Sequence, residues 1–189
     1  LSGYKTLTAV IAFSRLIRRR SKERNIGLLL PTSSPGIITN MSALLLNKTV
    51  VNLNYTASVQ ALLAAVEKAE ISNLYTSRRF IQKLEQRGID LNALLERVQV
   101  HYLEDMKGEI GAFTRLALLI AAVLLPARVL YAVFGQRASI DQPAAILFSS
   151  GSEGEPKGVV LSHRNIMANI RQVSDVLDVR AEDTFMATL

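Results

Sequence analysis

From Asn25 onward, short apolar runs alternate with segments whose apolar residues recur every three or four positions, and this alternation constrains the fold more than any other feature. It is the pattern of β-α-β units. "NIGLLL" reads as a buried strand, and Ser34 followed by Pro35 reads as the cap and first residue of a helix striped by Ile37, Met41, Leu44 and Leu45. "TVVNL" is the next strand. After Thr56 a second helix carries Val59, Leu62, Leu63 and Val66 on one face. "ISNLYT" and "RVQVHYL" read as further strands, with a polar helix from about Ser77 to Gln86 between them. The expected class is α/β, with a mostly parallel sheet and helices on both faces.

The region 109–134 breaks this rhythm. "LALLIAAVLLPA", Leu116 to Ala127, is an uncharged run of 12 residues between Arg115 and Arg128. A membrane-spanning helix needs about 20 apolar residues, and Pro126 would bend this one, so a span is not expected. A buried core helix and an interfacial helix with snorkelling arginines both fit.

The chain has 189 residues, 49% of them hydrophobic, enough for the core of one domain or part of one. With no Cys and two His, disulfides and Cys-ligated metals are excluded and a zinc site is not expected. The cytoplasm, or the cytoplasmic face of a membrane, is the expected location. The formal charge of +6 is unevenly placed. Residues 1–24 hold seven Lys/Arg against Glu23 alone, and fifteen cations face fifteen acids in the rest. With Leu7, Val10, Ile11, Leu16 and Ile17 beside them, these cations read first as the solvated end of an amphipathic helix. A site for anionic lipid or an acidic protein comes second. No aromatic residues interleave the charges, so nucleic acid is not an expected partner.

Near the end, "QPAAILF" is a strand and "GVVL" another, and Ser162 caps a helix striped by Ile166, Ile170, Val173 and Leu177. Between the strands stands "SSGSEGEPKG". Its glycines let backbone N–H groups come close to a ligand, and its hydroxyls add donors, so the stretch can form a concave anion site suited to a polyphosphate. A plain loop is the competing reading. The usual nucleotide P-loop is excluded, because Pro156 precedes Lys157 and Gly158 follows it.

"SSGSEGEPKG" after an apolar strand and before "VVLSHRN" resembles the phosphate loop of the adenylate-forming (AMP-binding) superfamily. Ser152-Glu153 departs from the commoner Thr-Thr. With "NIGLLLP", "VVNLNYTASVQALLAAVEKAEISNLYTSRRFI" and "VHYLEDMKGEI" in order, the chain is similar to its acyl-ACP synthetase branch, the half joined in bacteria to a 2-acylglycerophosphoethanolamine acyltransferase. The resemblance covers roughly residues 25–189 and is weakest through the apolar segment.

The resemblance implies the N-terminal part of the adenylate-forming synthetase fold, and an incomplete subdomain: a basic amphipathic helix (1–24), β-α-β units (25–108), an apolar helical segment (109–134), then the phosphate loop and its helix (143–178). It implies ATP and Mg²⁺ as cofactors, a fatty acid as substrate and acyl carrier protein, or CoA, as acceptor. An inner-membrane surface contact goes with it. Ser149, Ser150, Gly151, Ser152, Glu153 and Gly154 would cradle the β- and γ-phosphates, and Lys157 would pair with them or hold the loop in shape. No catalytic side chain and no side-chain metal ligand is assigned. The adenine, ribose and Mg²⁺ motifs are expected beyond Leu189, so the 189 residues alone are expected to be inactive.

Other polar residues read as structural. His163 is expected in the first turn after its cap, and "HYLED" does not match the His-x4-Asp spacing of glycerolipid acyltransferases, which places that half outside the chain. Asn54-Tyr55-Thr56 fits the branch's pattern and equally a capped turn. The remaining alternatives are a long-chain acyl-CoA synthetase and a non-catalytic nucleotide-binding or membrane-docking module.

Overall fold

A computed structural model describes residues 3–149 and 156–177. Strands β1 (Asn25–Leu29), β2 (Thr49–Asn52), β3 (Asn73–Thr76), β4 (Gln99–Tyr102), β5 (Pro143–Ser149) and β6 (Lys157–Ser162) form one sheet in the order β4-β3-β1-β2-β5-β6. β1 to β5 are parallel, and β6 returns antiparallel to β5. The expected α/β class and mostly parallel sheet are what the chain forms.

Alternation along the strands sends side chains to two cores. Ile26, Leu28, Val50 and Tyr75 face one side, where α1 (Gly3–Arg20), α2 (Ser34–Leu45), α6 (Leu103–Glu109), α7 (Ala112–Leu124) and α8 (Ala127–Phe134) cover them. Leu29, Val51 and Leu74 face the other, under α3 (Val59–Lys68), α4 (Arg78–Glu85) and α5 (Asn92–Arg97). Both faces are thus filled, as a parallel sheet requires.

α1 is an integral part of the first core. Ile11 and Ile17 are fully buried, and Arg18, Arg19 and Arg20 close its last turn, where cations favour the helix dipole. Arg20 pairs with Glu109 and Arg18 Nη2 donates to the Phe134 carbonyl (2.7 Å), so the basic end of α1 holds the end of α6 and the end of α8. Ser21 Oγ lies 2.6 Å from Tyr75 OH. Burial pushes the Tyr75 phenol up to about 12, against the smaller downward pull of that hydrogen bond.

Several boundaries differ from the sequence reading. The cap of α2 is Ser33, whose Oγ accepts from Gly36 N, so Ser34 is the first helical residue and Pro35 follows it. The apolar stripe expected on α2 faces outward at Ile37 (54% exposed) and Met41 (51%), and the buried side is Gly36, Thr39, Ser42 and Ala43. Small residues let α1 and α2 approach closely, and the single Ser42 hydroxyl proton is shared between Ile38 O (2.7 Å) and Val10 O (2.9 Å), so that buried hydroxyl is satisfied. The strand expected over "RVQVHYL" is shorter, because α5 takes Arg97 and α6 begins at Leu103. The polar helix is α4, capped by Ser77 and burying Phe80, Ile81 and Leu84. The 109–134 segment is two helices broken at Leu125–Pro126. Among the described residues, no helix is long and apolar enough to cross a membrane.

Candidate functional site

β5 leaves the sheet at its carboxyl edge, the edge where open α/β sheets bind ligands. Its partners in register are Val50 and Val51 of β2 on one side and β6 on the other. Ser149 stands opposite Lys157, and Phe148 opposite Gly158. Opposed residues project to the same face, so Ser149 and Lys157 share one face and Phe148 stands with Gly158 on the other. Ser149 Oγ donates to the Lys157 carbonyl at 3.5 Å.

Gly158 has a steric reason to be glycine. A Cβ there would come within 3.0 and 3.2 Å of the Phe148 ring and 3.4 Å of Ile146. The ring therefore lies over the Gly158 backbone, which fixes how the two strands meet below the Ser/Gly-rich stretch. Pro156 is buried, and its carbonyl accepts from Lys68 Nζ (3.3 Å), in the last turn of α3. A second lysine thus reaches the base of the hairpin.

Between these strand ends and α3 lies a cavity of 190 Å³, lined by Asn54, Ala57, Ser58, Ala61, Phe148, Ser149 and Pro156 among others. Asn54 Oδ1 accepts from Thr56 N (3.0 Å) and Thr56 Oγ1 (2.7 Å), and Ser58 caps α3 by accepting from Ala61 N (3.2 Å). Alanines give the cavity room, and amide and hydroxyl groups give it polarity. A larger hollow of 310 Å³ is lined by Glu67, Glu70, Ser72 and Arg97 among others, and by none of the candidate residues.

Of the site residues expected from sequence, Ser149 and Lys157 are brought together at the mouth of the hairpin. Ser150, Gly151, Ser152, Glu153 and Gly154 lie outside the described residues. Lys68 and Ser58 were not singled out in the sequence. Ser58 carries the legible signal of a helix cap, but nothing in "VEKAE" marks Lys68 as reaching the hairpin.

The remaining polar candidates lie in hydrogen-bonded or packed surroundings, with the His163 imidazole the exception. His101 stacks on Tyr75 (centroids 4.9 Å) with Nε2 2.6 Å from Asn73 Oδ1, while Asn73 Nδ2 donates to Glu23 (2.8 Å). That second bond fixes the amide, so His101 Nε2 is the donor. Burial, then the Arg20 charge, holds the His101 pKa below its ordinary value. Asp105 pairs with Arg78 (2.9 Å). Tyr55 packs edge-on to Phe80 at 5.1 Å. His163 opens α9 (His163–Leu177), with its backbone N–H on Gln142 O (3.2 Å) and no partner for Nε2 among the described residues. Ser162 caps the helix, accepting from Asn165 N (3.2 Å).

Comparison with known proteins places this architecture. The chain is 43% identical over 49 residues to a chloroplastic long-chain-fatty-acid–[acyl-carrier-protein] ligase of Arabidopsis thaliana, a stretch covering 26% of the chain and 7% of that protein. It is 50% identical over 46 residues to a medium-chain fatty-acid–CoA ligase of Escherichia coli, covering 24% of the chain and 8% of that protein. Among solved structures, VinN superposes with a TM-score of 0.69 at 18% identity, over 94% of the chain and 43% of VinN. The O-succinylbenzoate CoA synthetase of Bacillus subtilis in complex with AMP gives 0.63 at 17%, over 94% and 39%. The chain therefore spans under half the length of these structures. Residues 7–189 match the family described as AMP-binding enzyme. The match takes in the sheet, the β5–β6 hairpin and the helices on both faces together, and the chain belongs to the AMP-binding enzyme family.

Proposed function

We propose that this chain forms part of an ATP-dependent ligase that activates a fatty acid and passes it to the phosphopantetheine thiol of acyl carrier protein. A fatty-acid carboxylate oxygen attacks the α-phosphorus of ATP, the bond to the β-phosphate breaks, and pyrophosphate leaves. The thiol sulfur then attacks the acyl carbon, AMP departs, and the thiol proton goes to solvent or a base. Membership of the family supports the adenylation step. The names of the ligases it resembles support an acyl chain as the acid.

The observation that carries the reading is the pairing of Ser149 and Lys157 at the carboxyl end of β5. It sets a hydroxyl and a cation on one face where the Ser/Gly-rich stretch begins and ends. In this proposal the hydroxyls of Ser149, Ser150 and Ser152 and the backbone N–H groups of Gly151, Glu153 and Gly154 hold the β- and γ-phosphates. Lys157 neutralises charge that grows on the leaving pyrophosphate. The protein's part is positioning and charge stabilisation, and no side-chain nucleophile is needed. Mg²⁺ would arrive on the ATP phosphates. Among the described residues no three His, Asp or Glu side chains gather to hold a metal.

An acyl-CoA ligase is the second reading, favoured by the 50% identity to the Escherichia coli CoA ligase. Incubating the whole gene product with ATP, Mg²⁺, a labelled fatty acid and either holo-acyl carrier protein or CoA separates the two. Label on the carrier protein is expected. Label on CoA alone selects the second reading, and label on neither, with no adenylate formed, overturns both.

A further inference from the structure

α7 and α8 bury little of their apolar surface. Leu118, Ala122 and Leu130 pack on the core. On the opposite side of α7, Phe113, Leu116, Ile120, Val123 and Leu124 are 84, 56, 50, 52 and 72% exposed, at a spacing that places them on one stripe. Val129, Tyr131 and Val133 of α8 add 41, 42 and 58%. Soluble monomers rarely present so many large apolar groups side by side unless something covers them.

The charge around this surface identifies the cover. Between Glu109 and Asp141 the chain has no acidic residue and three arginines, Arg115, Arg128 and Arg137. All three are exposed, and so are Arg15, Arg18 and Arg19 of α1. Arg18 bonds the carbonyl of Phe134 at the end of α8, which fixes that part of the cationic rim against the apolar face. An apolar face rimmed by cations matches a layer with acyl chains inside and anionic phosphates outside, and arginine stems are long enough to lie along the first while their heads meet the second. A second copy of the chain fits poorly, because a two-fold contact would set the same arginines against one another.

Depth follows from helix length. α7 has 13 residues and α8 has 8, so they are about 20 and 12 Å long, against about 30 Å of hydrocarbon. Pro126 prevents them from joining into one rod. We propose that the outer face of α7 and α8, with its arginine rim, lies in the headgroup and upper acyl region of an anionic bilayer without crossing it. This does not rest on the reading of the β5–β6 hairpin.

The test is sedimentation of the whole gene product with vesicles of phosphatidylcholine, alone or with about a third phosphatidylglycerol. Binding to the mixed vesicles is expected, weakened about tenfold or more by Leu116→Ser/Val123→Ser/Leu124→Ser and by Arg115→Glu/Arg128→Glu. All five side chains are exposed, so the variants should keep the fold, with circular dichroism as the check. Absence of binding by the folded protein, or binding that both variants retain, overturns the proposal. Phe113→Trp supplies an independent readout, since the 189 residues hold no Trp. Added emission that is quenched by brominated lipid supports docking. Emission already shifted to the blue without lipid means that the rest of the protein, or at rising concentration a second copy, covers the face, and either overturns it.

Discussion

Ser149 and Lys157 stand opposite each other at the last rung of the β5–β6 hairpin, joined by a hydrogen bond from Ser149 Oγ to the Lys157 carbonyl. One rung further in, Gly158 lies under the ring of Phe148. The hairpin's carboxyl edge is therefore set by packing on one face, while its hydroxyl and cation stand on the other.

Gly158→Ala should disturb that packing. The new methyl meets the Phe148 ring at 3.0 and 3.2 Å, so the part-buried ring must give by a few tenths of an ångström and a loss of up to about 1 kcal/mol is expected. Chemical denaturation checks it. An unchanged midpoint would mean that the ring swings away freely and does not fix the strands.

His101 should make the fold acid-sensitive. It faces Asn73 and Tyr75 of β3, with the charges of Arg20 and Glu23 acting on it. Burial lowers its folded-state pKa, so as pH falls through the unfolded value of 6.5 the unfolded chain takes up the proton first. Stability is then lost from that pH downward until the folded pKa is reached. His101→Gln should flatten the change in urea midpoint between about pH 7 and pH 5. Equal slopes in the two proteins would contradict this.

Glu104 ties α6 to α4, accepting from Ser77 Oγ at 2.7 Å and Arg78 N at 3.3 Å. Burial alone would raise its pKa, but these hydrogen bonds and others from backbone N–H groups outweigh burial and hold it below the ordinary 4.5. Its stabilisation is therefore present above that value and lost as pH falls through the lowered one. The gap in Tm between wild type and Glu104→Gln should be open at neutral pH and close in acid. Ser77→Ala, which also removes the cap of α4, should lose about 1 kcal/mol. A gap that ignores pH would contradict the assignment.

The strands of the parallel sheet were legible because each is a short apolar run between polar turns, and the sheet's two buried faces demand that composition. On α2, Leu44 and Leu45 pack on the core but Ile37 and Met41 turn outward, because periodicity reports which residues share a face and not which face turns inward. Thr39 and Ser42 went inward because close helix contact favoured small residues whose hydroxyls find backbone carbonyls. On α9 the stripe is real, yet Ile170, Val173 and Leu177 are exposed, in a chain that spans under half the length of its solved relatives. At the candidate site, residue types marked the Ser/Gly-rich stretch. Lys68 was illegible because a register between distant strands, not any local pattern, brings Pro156 to it.

In the proposed reaction, Lys157 and the serines joined to it through the hairpin hold ATP phosphates while a fatty acid is adenylated. Fatty-acid-dependent exchange of labelled pyrophosphate into ATP measures that half-reaction without any thiol acceptor. The whole gene product should exchange, and Lys157→Ala and Ser152→Ala should each lower the rate by about tenfold or more while the protein stays folded. Exchange at the wild-type rate in both variants, or none in the folded parent with any fatty acid tried, would contradict the account.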